Sequence, residues 1–262
     1  SIWDVFANVP GNIADGRTGD VACDHYHRYL EDVGLMKNLN VKNYRMSLAW
    51  TRVFPEGSGK INNLGLDFYD RLIDDLLAND IVPWVTLFHW DLPDALQRKG
   101  GWANRDTIDR FLEYANAVTR HFGDRVKNWM TFNEPWVYSF CGHLYGVHAP
   151  GIKDLPTALA CAHHILVAHG KCVSVIRKNV GDSRVGIVNN LAWIEPATDA
   201  EADIAAARRW DLAFNKWFMD PLVGRPYPRE IVDLYGDKMP RIENDDMEVM
   251  AVKTDFIGIN YY

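Results

Sequence analysis

"VKNWMTFNE", residues 126–134, is a β-prone run that closes on an amide and a carboxylate, with Pro135 directly after them. Val, Trp, Thr and Phe favour a pleated, half-buried backbone. The proline cannot extend a central strand, so the strand must stop at Asn133 and Glu134. Two readings of Glu134 compete. It is an acid on an exposed loop, or a carboxylate held at the mouth of a barrel. The segments on either side decide between them.

Outward from this strand, the chain alternates strands and helices. "VKNYRMSLAW" (41–50) and "IVPWVTLFHW" (81–90) read as buried strands on the N-terminal side, with Pro83 near a strand start. "RVGIVNNLAW" (184–193) and "DFIGINYY" (255–262) follow on the C-terminal side. Between them, 64–80 and 105–122 carry apolar residues at helical spacing, and Gly123 is the expected stop of the second. Further helical stretches fall over about 156–179, 200–218 and 245–253.

Near-continuous apolar strands separated by helices imply a parallel sheet covered by helices. A closed (β/α)8 TIM barrel and an open doubly wound sheet both satisfy that pattern. No GxGxxG follows a strand, and "PEGSGK" (55–60) lacks the spacing and the Ser or Thr of a phosphate loop, so it reads as a turn. Polar residues instead end several different strands: Arg45 and Trp50, His89, Asn133 and Glu134, Asn260 and Tyr262. That distribution marks the α/β barrel. Only five strands are legible, and their ends lie further apart than the about 31 residues per unit of a compact barrel. The expectation is five βα units of a larger barrel, with the strands at 41–50 and 255–262 as unpaired edges.

The 262 residues are 48% hydrophobic and 24% charged, as in an ordinary globular domain. The net charge of −7 argues against a nucleic-acid surface. No apolar run is expected to reach the ~20 residues of a membrane span. Cys23, Cys141, Cys161 and Cys172 are scattered, and no secretory leader is legible, which together suggest a cytoplasmic location. "CDHYH" (23–27) and "HHILVAH" (163–169) gather histidines without zinc-site spacing, so no metal is expected there.

A resemblance now emerges. "SIWDVFA" (1–7), "GDVACDHYHRYLEDVGLMKNLNVKNYRMSLAW" (19–50), "VTLFHWDLPDALQRKGGW" (85–102), "TFNEPW" (131–136), "HAPG" (148–151) and "DFIGINYY" (255–262) resemble glycoside hydrolase family 1, in the family's order and over the whole chain. The resemblance implies one glycosidase domain over 1–262, partial at both ends. The family carries a strand with a sugar-binding glutamine before the first of these segments. Its nucleophilic Glu and a Trp-rich loop follow the last of them.

The implied activity is that of a retaining β-glycosidase, a β-glucosidase acting on short β-glucosides or oligosaccharides through two carboxylates, with no cofactor. Glu134 matches the acid/base. Asn133 would meet the sugar 2-hydroxyl, His89 a glycone hydroxyl, Trp90 the pocket wall and Trp136 the leaving-group side. Arg45 and Tyr262 would hold the nucleophile, with Asn260 supporting the same region. Two alternatives stay open: an inactive carbohydrate-binding fragment, or a half-barrel completed by the rest of the same chain or by another chain.

Overall fold

The computed structural model describes residues 1–243 and 245–262. Five strands form one sheet: β1 (Asn43–Ser47), β2 (Val82–Phe88), β3 (Asn128–Asn133), β4 (Arg184–Asn190) and β5 (Phe256–Asn260). All neighbours are parallel and the order is β1-β2-β3-β4-β5, with β1 and β5 at the edges. A doubly wound sheet reverses strand order at a switch point, and this sheet does not.

The sheet is also strongly curled. Trp84 on β2 and Phe256 on β5 bring their ring centroids to 5.4 Å. Three strand spacings would separate these strands by roughly 14 Å in a flat sheet. Such curling belongs to a barrel wall, and the chain forms an incomplete (β/α)8 barrel.

Helices cover the convex face. In Asn63–Ala78 the buried residues Leu66, Tyr69, Leu72, Ile73 and Leu76 follow the 3.6-residue period. In Thr107–Phe122, Ile108, Phe111, Tyr114, Ala115, Val118 and Phe122 do the same. Gly123 follows its last residue, and a Cβ there would lie 2.4 Å from Thr119 O and from a Val180 methyl, so the position demands glycine.

The helix Leu155–Asn179 starts at Asp154, whose carboxylate accepts the Thr157 N–H at 2.9 Å, with Pro156 in its first turn. By length and composition this helix could cross a membrane, contrary to the expectation from sequence, but 78% of its apolar window is buried against the rest of the protein. It is the central core helix. Gly170 lets it approach the helix Asp246–Met250, since a Cβ at Gly170 would stand 1.9 Å from Val249 O. Gly170→Ala is therefore expected to destabilise the fold by about 1–3 kcal/mol, read from urea midpoints. An unchanged midpoint would mean that the small helix shifts freely.

Several expected boundaries move. β1 stops at Ser47, and Trp50–Val53 is a turn of helix. Trp50 consequently does not face the barrel mouth. It is fully buried, stacked on Tyr114 at 5.3 Å, with its indole N–H on Gly57 O at 3.1 Å. Its backbone N–H is drawn to the Asp91 carboxylate, which bends the chain out of the strand. The stretch over 200–218 is interrupted by a π turn at Leu212–Lys216, and the last helix is only Asp246–Met250. The helix His25–Asn38 is not among the helices expected from the sequence. It buries only Val33, so its apolar periodicity is weak.

Candidate active site

Glu134 follows β3 directly and takes a left-handed backbone, φ +49°. Such a conformation costs a non-glycine residue roughly 1–3 kcal/mol and clusters at functional sites. It turns the side chain out of the strand's alternation and into the concave face. Glu134 is 4% exposed. Its Oε1 accepts Asn260 Nδ2–H at 2.5 Å and Tyr262 O–H at 3.3 Å.

Asn133 lies beside it, 2% exposed. Its Oδ1 accepts Arg45 Nη2–H at 2.5 Å and Asn260 Nδ2–H at 3.3 Å. Because a guanidinium only donates, the atom facing Arg45 must be the amide oxygen. The Asn133 amide nitrogen is thereby left to face the open side. Arg45 also donates to Thr86 Oγ1 at 3.3 Å. Burial draws its guanidinium below the usual arginine range, opposed by the charges of Glu134 and Tyr262. Residues from β1, β3 and β5 thus converge on one carboxylate. Asn260 and Tyr262 bond Glu134 itself, and Tyr262, 99% exposed, lies beyond the end of β5. The charge of Glu134 is the main cause that pushes the Tyr262 phenol up.

His89 and Trp90 follow β2. Trp90 is also left-handed, φ +76°. Its ring meets His89 edge-on at 5.2 Å and His148 at 5.6 Å, and its indole N–H donates to Asn133 O at 2.8 Å. His89 keeps an exposed edge, but the protein atoms crowding it, and then the Arg45 charge, pull its imidazole down to about 4. It is neutral at pH 7. Beneath this turn Asp91 accepts Trp50 N–H at 2.8 Å and His89 N–H at 3.4 Å. Burial pushes it up to about 6, against those same amides.

Trp136 stands at the rim. It stacks on Phe140 at 5.6 Å and meets Phe214 at 4.4 Å and Trp210 at 6.1 Å. Two π turns, Val137–Cys141 and Leu212–Lys216, carry Phe140 and Phe214 of this ledge. Cys141 and His148 lie close enough to feel Glu134. Burial raises the Cys141 thiol with help from that carboxylate, and lowers the His148 imidazole against it.

The sequence pattern assigns no role to Asp91, Cys141 or His148. Asp91 follows the His-Trp pair at a strand end, a signal that could have been used. Nothing local pointed to Cys141.

The histidine-rich segments serve elsewhere. His25 bonds Asp32 at 2.5 Å and His27 bonds Asp24 at 2.6 Å. His163 joins Tyr227 and Asp246, His164 bonds Trp102 O, and His169 bonds Thr131. A cavity of about 720 Å³ opens beside β1 between the helices His25–Asn38 and Asn63–Ala78, and Arg45 and His89 reach its edge. Glu134 does not line it.

A curled parallel sheet with a buried carboxylate at the end of one strand defines an α/β-barrel wall with a candidate site at its C-terminal mouth. The model of glycosyl hydrolase family 1 matches residues 1–262, and the chain belongs to that family. It is 50% identical to the 1,4-β-D-glucan glucohydrolase of Thermotoga neapolitana, with 100% of this chain aligned to 62% of that protein. It is 49% identical to β-glucosidase A of Thermotoga maritima, covering 59% of it. Among solved structures, an enzyme designated AHE from Alicyclobacillus herbarius superposes with a TM-score of 0.97 at 48% identity, over 100% of this chain and 59% of that one. The T. maritima β-glucosidase in complex with glucoimidazole gives 0.96 at 49% identity, over 100% and 60%. The chain thus spans 59% to 62% of the length of these two curated relatives.

Proposed function

We propose that residues 1–262 form a single domain carrying the acid/base half of a retaining β-glycosidase, one that takes small β-glucosides. The observation that carries this reading is the enclosed Glu134 carboxylate, met by Asn260 and Tyr262 at the end of β3. Glu134 protonates the departing oxygen and then activates a water. A retaining mechanism needs a second carboxylate about 5–5.5 Å away. In this reading Arg45 and Tyr262 hold that group ionised, by charge and hydrogen bonding.

Asn133 offers its amide nitrogen to the sugar 2-hydroxyl, a contact that strengthens in the transition state. Neutral His89 bonds a glycone hydroxyl, and the Trp136 ledge receives the leaving group. Asn260 aims Glu134. Family membership and the glucosidase names of relatives support a glucoside as substrate. The four free cysteines support a reducing compartment such as the cytoplasm.

The test is stereochemical. Hydrolysis of an aryl β-glucoside by the full-length protein, followed by proton NMR, is expected to release the β-anomer first. Initial α-anomer, or no turnover at all, would overturn the proposal.

A further inference from the structure

The peptide between Asn133 and Glu134 is gripped from both sides. Its carbonyl accepts Trp90 Nε1–H at 2.8 Å. Its N–H donates to Val188 O at 2.7 Å. Trp90 comes from the end of β2 and Val188 from β4, so the two flanking units hold one peptide of β3.

That peptide needs holding. The β3–β4 register shifts between Met130 and Asn133, so a regular ladder does not fix its tilt there. Glu134 then enters the left-handed region at once, and Trp90 occupies that region too. Strained backbone persists only where its surroundings over-determine it. An indole has a single N–H. While it is bonded to Asn133 O it cannot also donate to a sugar. The contacts with His89 and His148 keep the ring in place for that bond.

We propose that Trp90 is a positioning residue for Glu134, its indole N–H setting the direction of the acid through the Asn133 carbonyl. This rests on Glu134 being the acid. Asn133 is then fixed twice over, by Trp90 on its backbone oxygen and by Arg45 on its side-chain oxygen.

Trp90→Phe keeps a flat ring and deletes the donor. A misdirected acid costs up to about 10²-fold, so an alkyl glucoside is expected to lose ~10–10²-fold in kcat/KM with the full-length protein. A dinitrophenyl glucoside, which needs little protonation to form the glycosyl-enzyme, should keep most of its kcat/KM, while its kcat and KM fall together because the same carboxylate activates the water of the second step. Replacing Trp90 by 3-benzothienylalanine, which carries sulfur in place of N–H, should reproduce the pattern even if Phe packs poorly. Equal losses of kcat/KM on both substrates, or a rise confined to KM, would make Trp90 a wall of the pocket and overturn the proposal.

Glu134→Gln runs beside these variants. If it shows no dependence on leaving group, the acid assignment fails. If it shows dependence and the Trp90 variants do not, only the positioning role fails. Amide hydrogen exchange gives a readout without turnover. The Glu134 amide should exchange faster in both Trp90 variants while the Thr131 amide stays unchanged, and unaltered protection at Glu134 would also refute the role.

Discussion

Replacing Glu134 with glutamine is expected to slow hydrolysis of an unactivated β-glucoside by ~10²–10⁴-fold, the usual cost of removing a general acid. In barrier height that is about 2.7–5.5 kcal/mol. The substitution is isosteric. The introduced amide keeps an oxygen for Asn260 Nδ2–H, now 2.5 Å from the carboxylate, so the pocket should hold its shape. What is lost is the transferable proton of the first step and the base of the second.

The loss must therefore scale with the basicity of the leaving group. A nitrophenolate departs almost unaided, and an alkoxide does not. Values of kcat/KM on a series of aryl and alkyl glucosides should diverge progressively as the leaving-group pKa rises. A uniform loss across the series would mean that Glu134 binds or orients the sugar and that another group donates the proton.

How much of this site could be read in the chain depends on whether a residue's partners are local. The strand over 126–134 was legible because Trp129 and Phe132 are core residues while Asn133 and Glu134 end the run. Strand ends that gather polar groups pointed to the mouth of a barrel, and the convergence of Arg45, Asn133, Glu134, Asn260 and Tyr262 follows that reading. Trp50 misled it. An apolar strand that ends on Trp looks like another rim residue. The turn that buries Trp50 is set by Asp91, a residue distant in sequence.

The grip of Trp90 on Asn133 was equally invisible, since it depends on a register shift and on sheet curvature that no local pattern encodes. The two π turns under the aromatic ledge belong to the same class. Periodicity shows a helix over 200–218 but not the residue inserted into it, and it predicts no helix at all over Val137–Cys141.

Asp246→Asn is expected to destabilise the protein by about 3 kcal/mol, at the lower end of the cost of breaking a buried ion pair. Asp246 is 1% exposed. Its carboxylate takes both arms of the Arg105 guanidinium, the Glu243 N–H at 2.8 Å and His163 Nε2 at 2.8 Å. Residues before the helix Thr107–Phe122, within Leu155–Asn179 and at the start of Asp246–Met250 thus meet on one side chain. Arg105 keeps some solvent and a second partner in Glu243 at 3.2 Å, which holds the loss near the lower end.

Burial lowers the His163 imidazole despite the neighbouring carboxylate, so it is neutral at pH 7. It donates through Nε2 to Asp246 and accepts the Tyr227 hydroxyl at Nδ1. An amide at 246 could still accept one such bond, but it cannot compensate the guanidinium. Burial alone would raise the Asp246 carboxyl, yet Arg105, the Glu243 amide and His163 outweigh it and lower the group from 3.8 to about 2. A carboxylate depressed by folding stabilises above its unfolded pKa, and that stability is lost as pH falls through the folded value. The parent protein should therefore lose more stability than Asp246→Asn between about pH 4 and pH 2. Urea titrations of both proteins from pH 7 down to pH 3 measure the gap. A gap that stays constant over that range would mean that Asp246 acts through shape rather than charge.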